Sequence, residues 1–284
     1  MYFYERMMSR MEKKKIAVQL FSVRDAMKDD FYGTLKQVKA FGYDGVEFAG
    51  LFGHSPEEVR QMCQELELVP ISAHVSLALL MEDMEGTIEC YRTIGCKYIA
   101  IPYLPEDLRP GTDGFPKVIE FAKVLGKALA DKGMVLQYHN HDFEFVKLDG
   151  KYALDVLYEQ VGPELLQTQL DTCWVNVGGE NPVDYIKKYA GRVPTVHLKD
   201  FVGRKTANMY QLIGIDDNQK QEAVEAFAFR ALGRGVQNIP AIVEASIEGG
   251  AEWFIVEQDM ATEGYSPMES IQISARYLLE QVFA

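Results

Sequence analysis

An α/β fold, one single-domain (β/α)8 barrel of the TIM type, is the architecture this sequence predicts, and three observations predict it. Short β-rich apolar runs alternate along the chain with stretches of helical period, the pattern of right-handed βαβ crossovers and a parallel sheet. Eight such runs fit into 284 residues, an ordinary length for one barrel. No Gly/Ser-rich linker or shift of composition divides the chain, and no GxGxxG follows the first run, which disfavours an open doubly wound sheet.

The elements follow in order. The first strand is Ile16–Phe21, and the apolar spacing of Phe31, Leu35, Val38 and Phe41 predicts a helix stopped by Gly42. Strand two is Gly45–Phe48. Ser55-Pro56-Glu57-Glu58 is a helix start, with an N-cap serine, proline in the first turn and acids behind it. Strand three, Val69–Ala73, runs onto His74. A helix over Met84–Ile94 stops at Gly95, strand four is Tyr98–Ile101, and a helix over Phe115–Lys132 precedes Gly133. Strand five is Met134–Tyr138, a short helix covers Tyr152–Gln160, and strand six is Leu166–Leu170. A helix over Pro182–Tyr189 leads to strand seven, Val193–Leu198, where Pro194 is tolerated only near the start. The connection Gly203–Arg234 is longer than the others, and a helix is expected at Lys220–Phe229. Helix Ile239–Glu248, strand eight Trp253–Val256 and helix Pro267–Val282 complete the chain. Residues 1–15 carry charges but no apolar run; they are expected to form a disordered lead-in rather than a secretory signal, with Met11 a candidate start, leaving 16–284 as the barrel.

Hydrophobic residues at 48% and charged residues at 25% are ordinary for a globular protein large enough to need no staples. The net charge of −13 argues against general affinity for nucleic acid, which depends on Lys and Arg at phosphates. No window approaches the roughly 20 apolar residues of a membrane span. Cys63, Cys90, Cys96 and Cys173 make no CxxC pair, so reduced, buried thiols in a cytoplasmic protein are expected.

The strand ends carry the chemistry. They offer Gln19, Glu47, His74, His139, Glu144, Asp171, His197 and Glu257, and a barrel brings such ends over one mouth. Each has an ordinary structural explanation: a lone Asp after a strand caps a helix, a lone His is hydrogen-bonded, a lone Glu is solvated. Together on four consecutive strands they point instead to a shared divalent cation held by Glu144, Asp171, His197 and Glu257, since bare carboxylates gathered there repel one another and resist desolvation. The oxygen-rich set suits Mn²⁺ best, with Mg²⁺, Co²⁺ or Zn²⁺ as alternatives.

Four segments carry a resemblance. Tyr138-His-Asn-His-Asp-Phe-Glu-Phe145, Leu170-Asp-Thr-Cys-Trp-Val175, Val196-His-Leu-Lys-Asp200 and Ile255-Val-Glu-Gln-Asp259 are similar to the xylose isomerase-like TIM barrel superfamily, which includes sugar phosphate isomerases/epimerases, ketose 3-epimerases, inosose dehydratases and endonuclease IV. The resemblance runs from Ile16 to the C-terminus. It implies one metal bound by a Glu, an Asp, a His and a second Glu. Asp171, His197 and Glu257 map directly; at the end of strand five this chain has Tyr138 and His139, so either Glu144 bends back to the metal, which is preferred here, or His139 takes its place. The resemblance further implies proton transfer beside a carbonyl polarised by the metal, with Glu144 and Glu257 on opposite faces of a keto-sugar or sugar phosphate. Lys199 would stabilise an oxyanion or donate a proton, or else pair with Asp200 at the surface. Glu47 and His74 would touch sugar hydroxyls or serve as hydrogen-bonded interior residues, and His139 and His141 would bind substrate. Trp174 stands where ketose 3-epimerases have a substrate-binding His. An aromatic there suggests stacking on a larger or less polar sugar or a cyclitol, and makes an inosose dehydratase-like lyase the competitor to an isomerase or epimerase. With five histidines and an acidic chain, a nuclease is disfavoured, and a non-catalytic barrel is the remaining alternative. The expected partner is a small carbohydrate, with no nucleic acid and no membrane, and a homo-oligomer is left open. Gly203–Arg234 is a candidate lid, or a surface insertion or dimer contact, and Gly233-Arg234-Gly235 a candidate anion site.

Overall fold

The computed structural model describes residues 14–206, 210, 227–261 and 264–284. Eight parallel strands close on themselves: β1 (Lys15–Gln19), β2 (Gly45–Phe48), β3 (Val69–His74), β4 (Tyr98–Ile101), β5 (Val135–His139), β6 (Gln167–Asp171), β7 (Thr195–Leu198) and β8 (Trp253–Val256), with β8 pairing back onto β1. Three of the eight begin one or two residues later than the sequence predicts, because Met134, Leu166, Val193 and Pro194 lie in the incoming turns. β1 stops at Gln19, whose side-chain oxygen caps a short 3-10 turn over Leu20–Val23.

Between the barrel and its helices lies the main apolar core. The helix over Pro56–Glu65 starts on a complete capping box between Ser55 and Glu58, and the one over Met84–Ile94 ends on Gly95 at φ 105°, a left-handed position suited to glycine. Gly126, in the helix Phe115–Asp131, faces the Leu165 carbonyl so closely that a Cβ would come to 2.4 Å of it, so this helix seats directly on the approach to β6. Ala153–Val161 is tied to Pro182–Lys188 by Asp155, whose carboxylate accepts from Tyr185 (2.7 Å), Lys188 (2.6 Å) and Tyr189 (2.5 Å). Burial pushes this carboxyl up, but those hydrogen bonds outweigh it and hold it below its ordinary value. A depressed carboxyl stabilises the fold above its unfolded value and loses that contribution as pH falls through the folded one. Asp155→Asn should therefore cost about 2–3 kcal/mol at pH 7, and the deficit measured by urea unfolding should persist to about pH 4 and shrink below it.

Two short antiparallel ribbons sit outside the barrel, Lys147–Leu148 with Lys151–Tyr152, and Asp200–Gly203 with Phe227–Arg230. The second corrects the expected helix at Lys220–Phe229: residues 220–226 lie outside the described residues, and Phe227–Phe229 are extended, paired with Phe201–Gly203. Of the lead-in expected at residues 1–15, residues 1–13 also lie outside them, and Lys15 already opens β1. Among the described residues no helix is long and apolar enough to cross a membrane, and all four cysteines are free thiols.

Candidate metal centre at the barrel mouth

Strand alternation places the site. Side chains two apart share a face, so Gln137 and His139, Gln169 and Asp171, and Thr195 and His197 point to the same side of their strands. Register then makes Asp171 the neighbour of His197, and Ile255 its neighbour on the other side, two residues before Glu257. One ligand atom from each of His139, Asp171, His197 and Glu257 lies within 4.8 Å of the others, and all four residues are buried.

Charges in this group are tightly paired. His197 Nδ1 lies 2.9 Å from Glu257 Oε2 and its Nε2 2.8 Å from Glu47 Oε1. Burial works against a charged imidazole, but these two carboxylates push His197 up to about 10. The Lys199 ammonium, also buried, sits 3.2 Å from Asp171 Oδ2, 2.9 Å from Glu257 Oε2 and 2.8 Å from Asp259 Oδ2. Burial alone would raise Glu257, yet Lys199 and His197 hold it well below the usual carboxylate range. Burial lowers His139 and His141, which stay neutral and able to offer a lone pair.

The donor set fits a divalent cation. Asp171 divides its oxygens: Oδ1 accepts from the Trp174 N–H at 2.9 Å and caps the helix Thr172–Val177, whereas Oδ2 accepts no hydrogen bond of regular geometry and is left facing the Lys199 ammonium at 3.2 Å. The capping role and the ligand role expected of Asp171 are thus both available at once. His139 Nε2 lies 3.7 Å from Asp171 Oδ2 and 3.8 Å from Glu257 Oε2, gaps too long for hydrogen bonds between groups that converge. Two imidazoles and two carboxylates suit Mn²⁺, Co²⁺ or Zn²⁺.

Glu144 does not join this group. It is buried, with Oε1 accepting from the Tyr138 hydroxyl at 2.6 Å and Oε2 from the His141 N–H at 2.8 Å, and burial pushes it up to about 8. The turn after β5 thus uses Glu144 as an internal brace, and the strand-five position near the other donors belongs to His139. Glu47 and His74 are interior residues: Glu47 is inaccessible, and His74 Nε2 is 2.7 Å from Gln169 Oε1 and 3.0 Å from Glu47 Oε1. Trp174, expected to stack on substrate, is fully buried among His141, Tyr210, Phe227 and Phe229. The anion at Gly233-Arg234-Gly235 is the chain's own Asp200, which accepts from the N–H groups of Gly233 (3.1 Å) and Gly235 (2.9 Å). Asp200 is therefore committed to the connection after β7 and Lys199 to the mouth, which overturns a surface Lys199–Asp200 pair.

Two contributors are new. Asp259 repeats the spacing of His197 and Lys199, two residues beyond a strand-end donor, and that alternation was the available signal. Arg109, from the connection after β4, lies over the rings of Tyr103, Phe143 and Tyr210 and bonds the Tyr103 hydroxyl; Tyr210 in turn bonds Asp142, which Lys205 also meets at 2.5 Å. Tyr210 and Lys205 belong to the candidate lid, so its described residues do reach the mouth. Nothing periodic in the sequence marks this cap, because it joins separate connections.

Comparison with known proteins agrees with this architecture. A family model described as "Xylose isomerase-like TIM barrel" matches residues 35–281. Inosose dehydratase 2 of Bacillus cereus is 22% identical over 277 residues, covering 89% of this chain and 90% of the relative. An inosose dehydratase of Clostridium botulinum is 29% identical over 161 residues, covering 55% of this chain but only 51% of the relative. Among solved structures, a sugar phosphate isomerase/epimerase from Parabacteroides distasonis superposes with a TM-score of 0.77 at 20% identity, over 96% of each chain. With a closed eight-stranded parallel barrel and a family match over most of its length, this chain belongs to the xylose isomerase-like TIM barrel family.

Proposed function

We propose that this protein is a metal-dependent carbohydrate lyase of the dehydratase type, which removes a proton from the carbon beside a carbonyl and expels the neighbouring hydroxyl as water. One observation carries the reading. Glu257, Lys199 and Asp259 form a contiguous acid–base cluster from the ends of β7 and β8, with Lys199 Nζ within 2.8–2.9 Å of both carboxylates, while Glu144, the other carboxylate offered for catalysis, is braced inside the protein. Epimerisation by two bases needs a group on each face of the substrate. Elimination needs a base and an acid that can share one face.

In this reading His139, Asp171, His197 and Glu257 would hold the cation, which when bound would supply Lewis-acid polarisation of a substrate carbonyl. Glu257 takes the proton. Lys199, kept charged because Asp171, Asp259 and Glu257 outweigh its burial, donates to the departing hydroxyl, and Asp259 holds the ammonium in place. The resemblance to inosose dehydratases supports this direction, and a keto-cyclitol or related keto-sugar is the substrate class it indicates.

An isomerase or epimerase is the second reading, supported by the fold shared with a sugar phosphate isomerase/epimerase. Incubation of inososes and keto-sugars with the protein and Mn²⁺ in D₂O separates them. Loss of 18 mass units with an enone-type absorbance is expected; deuterium uptake with no loss of water would favour the isomerase.

A further inference from the structure

The carboxylate of Glu47, on β2, is inaccessible to solvent yet is the most heavily engaged group in the barrel interior. Oε1 meets Gln19 Nε2 at 3.0 Å, His74 Nε2 at 3.0 Å and His197 Nε2 at 2.8 Å; Oε2 meets Ser72 Oγ at 2.5 Å and Gln169 Nε2 at 2.6 Å. A carboxylate offers about four lone-pair sites, so no capacity remains for a ligand hydroxyl. These contacts reach β1, β3, β6 and β7, which fixes the carboxylate against the whole barrel rather than one flexible segment.

His197 is held on both sides as a result. The His74 ring stacks on it, with centroids 5.1 Å apart and planes within 8°. Its Nε2 is committed to Glu47, and its Nδ1 is the nitrogen that faces Glu257. Without a cation both ring nitrogens face carboxylates and the ring is held charged; a cation at the mouth would take the place of the Nδ1 proton, the Nε2–H staying on the buried Glu47.

We propose that Glu47 is a positioning residue that makes Nδ1 the coordinating nitrogen of His197 and strengthens its hold on the cation. The inference rests on the metal centre proposed above. Carboxylates behind a metal-bound imidazole fix its tautomer and raise its basicity, and their loss typically weakens metal binding about 10–100-fold.

The test has two parts. In wild-type protein labelled with 15N-histidine and loaded with Zn²⁺, long-range 1H–15N correlation should show His197 as the Nε2–H tautomer with Nδ1 displaced by the metal. In calorimetric titration with Mn²⁺, Glu47→Gln, which keeps the shape but removes the charge, should bind about 10–100-fold more weakly than wild type. Coordination through Nε2, or equal Mn²⁺ affinity in a folded Glu47→Gln, overturns the role of Glu47 and leaves the metal centre standing. A wild type that takes up neither ion overturns both. Should the variant not fold, the wild-type tautomer alone decides.

Discussion

Glu257→Gln should reduce kcat by about 10³-fold or more while the protein stays folded. The side chain is buried at the end of β8, where it receives Lys199 at 2.9 Å and His197 Nδ1 at 2.9 Å, and the proposed chemistry uses it twice, as cation ligand and as base. General acid–base catalysis alone contributes about 10²–10⁴-fold, so losing the base together with one ligand exceeds the loss of either. The amide keeps the volume and one acceptor oxygen, so far-UV circular dichroism should be unchanged. Steady-state turnover and Mn²⁺ titration on the same preparation check the expectation, and full turnover would remove Glu257 from the mechanism.

Lys199→Met should act on both activity and stability. Its ammonium lies among three buried carboxylates, those of Asp171, Glu257 and Asp259. Removing one partner of a buried ion pair costs about 3–5 kcal/mol, and the methionine stem replaces only the packing. kcat should fall by about 10²–10⁴-fold, the range of a lost general acid. The stability loss should depend on pH with a definite sign. Burial, against the pull of Lys199, already pushes Asp259 up to about 6, above its ordinary value. A carboxyl raised on folding binds more protons in the folded state, so it costs stability as pH rises from its unfolded value through its folded one. Without Lys199 the carboxyl rises further, and the deficit should be largest above pH 7 and smaller at pH 5. Urea unfolding of metal-free protein at both pH values measures it, and a deficit independent of pH would contradict the charge argument.

Residues such as Asp171 and Glu144 show how far the chain could be read without its fold. Asp171 was legible because a donor at a strand end inherits its direction from backbone alternation. The same rule extends to His197 and Lys199 and, one and three residues past β8, to Glu257 and Asp259. Glu144 was not legible. It lies beyond the strand, where the 3-10 turn Phe143–Phe145 sets its direction, and the Tyr138 hydroxyl and His141 N–H turn its carboxylate away from the other donors. Trp174 failed for a related reason: its burial depends on Phe227 and Phe229, more than fifty residues away in the chain.

The eight barrel strands in their order, the barrel they form and the identity of Asp171, His197 and Glu257 as converging donors were determined by sequence alone. Local period and capping act over a few residues, and closure of eight βα units leaves one place for their ends. Only the tertiary structure decided that His139 rather than Glu144 stands with them, that Glu47 faces inward as the support of His197, and that Asp200 fills the glycine-rich turn. Each of those outcomes turns on which distant group satisfies a buried charge, and that pairing is set by three-dimensional proximity.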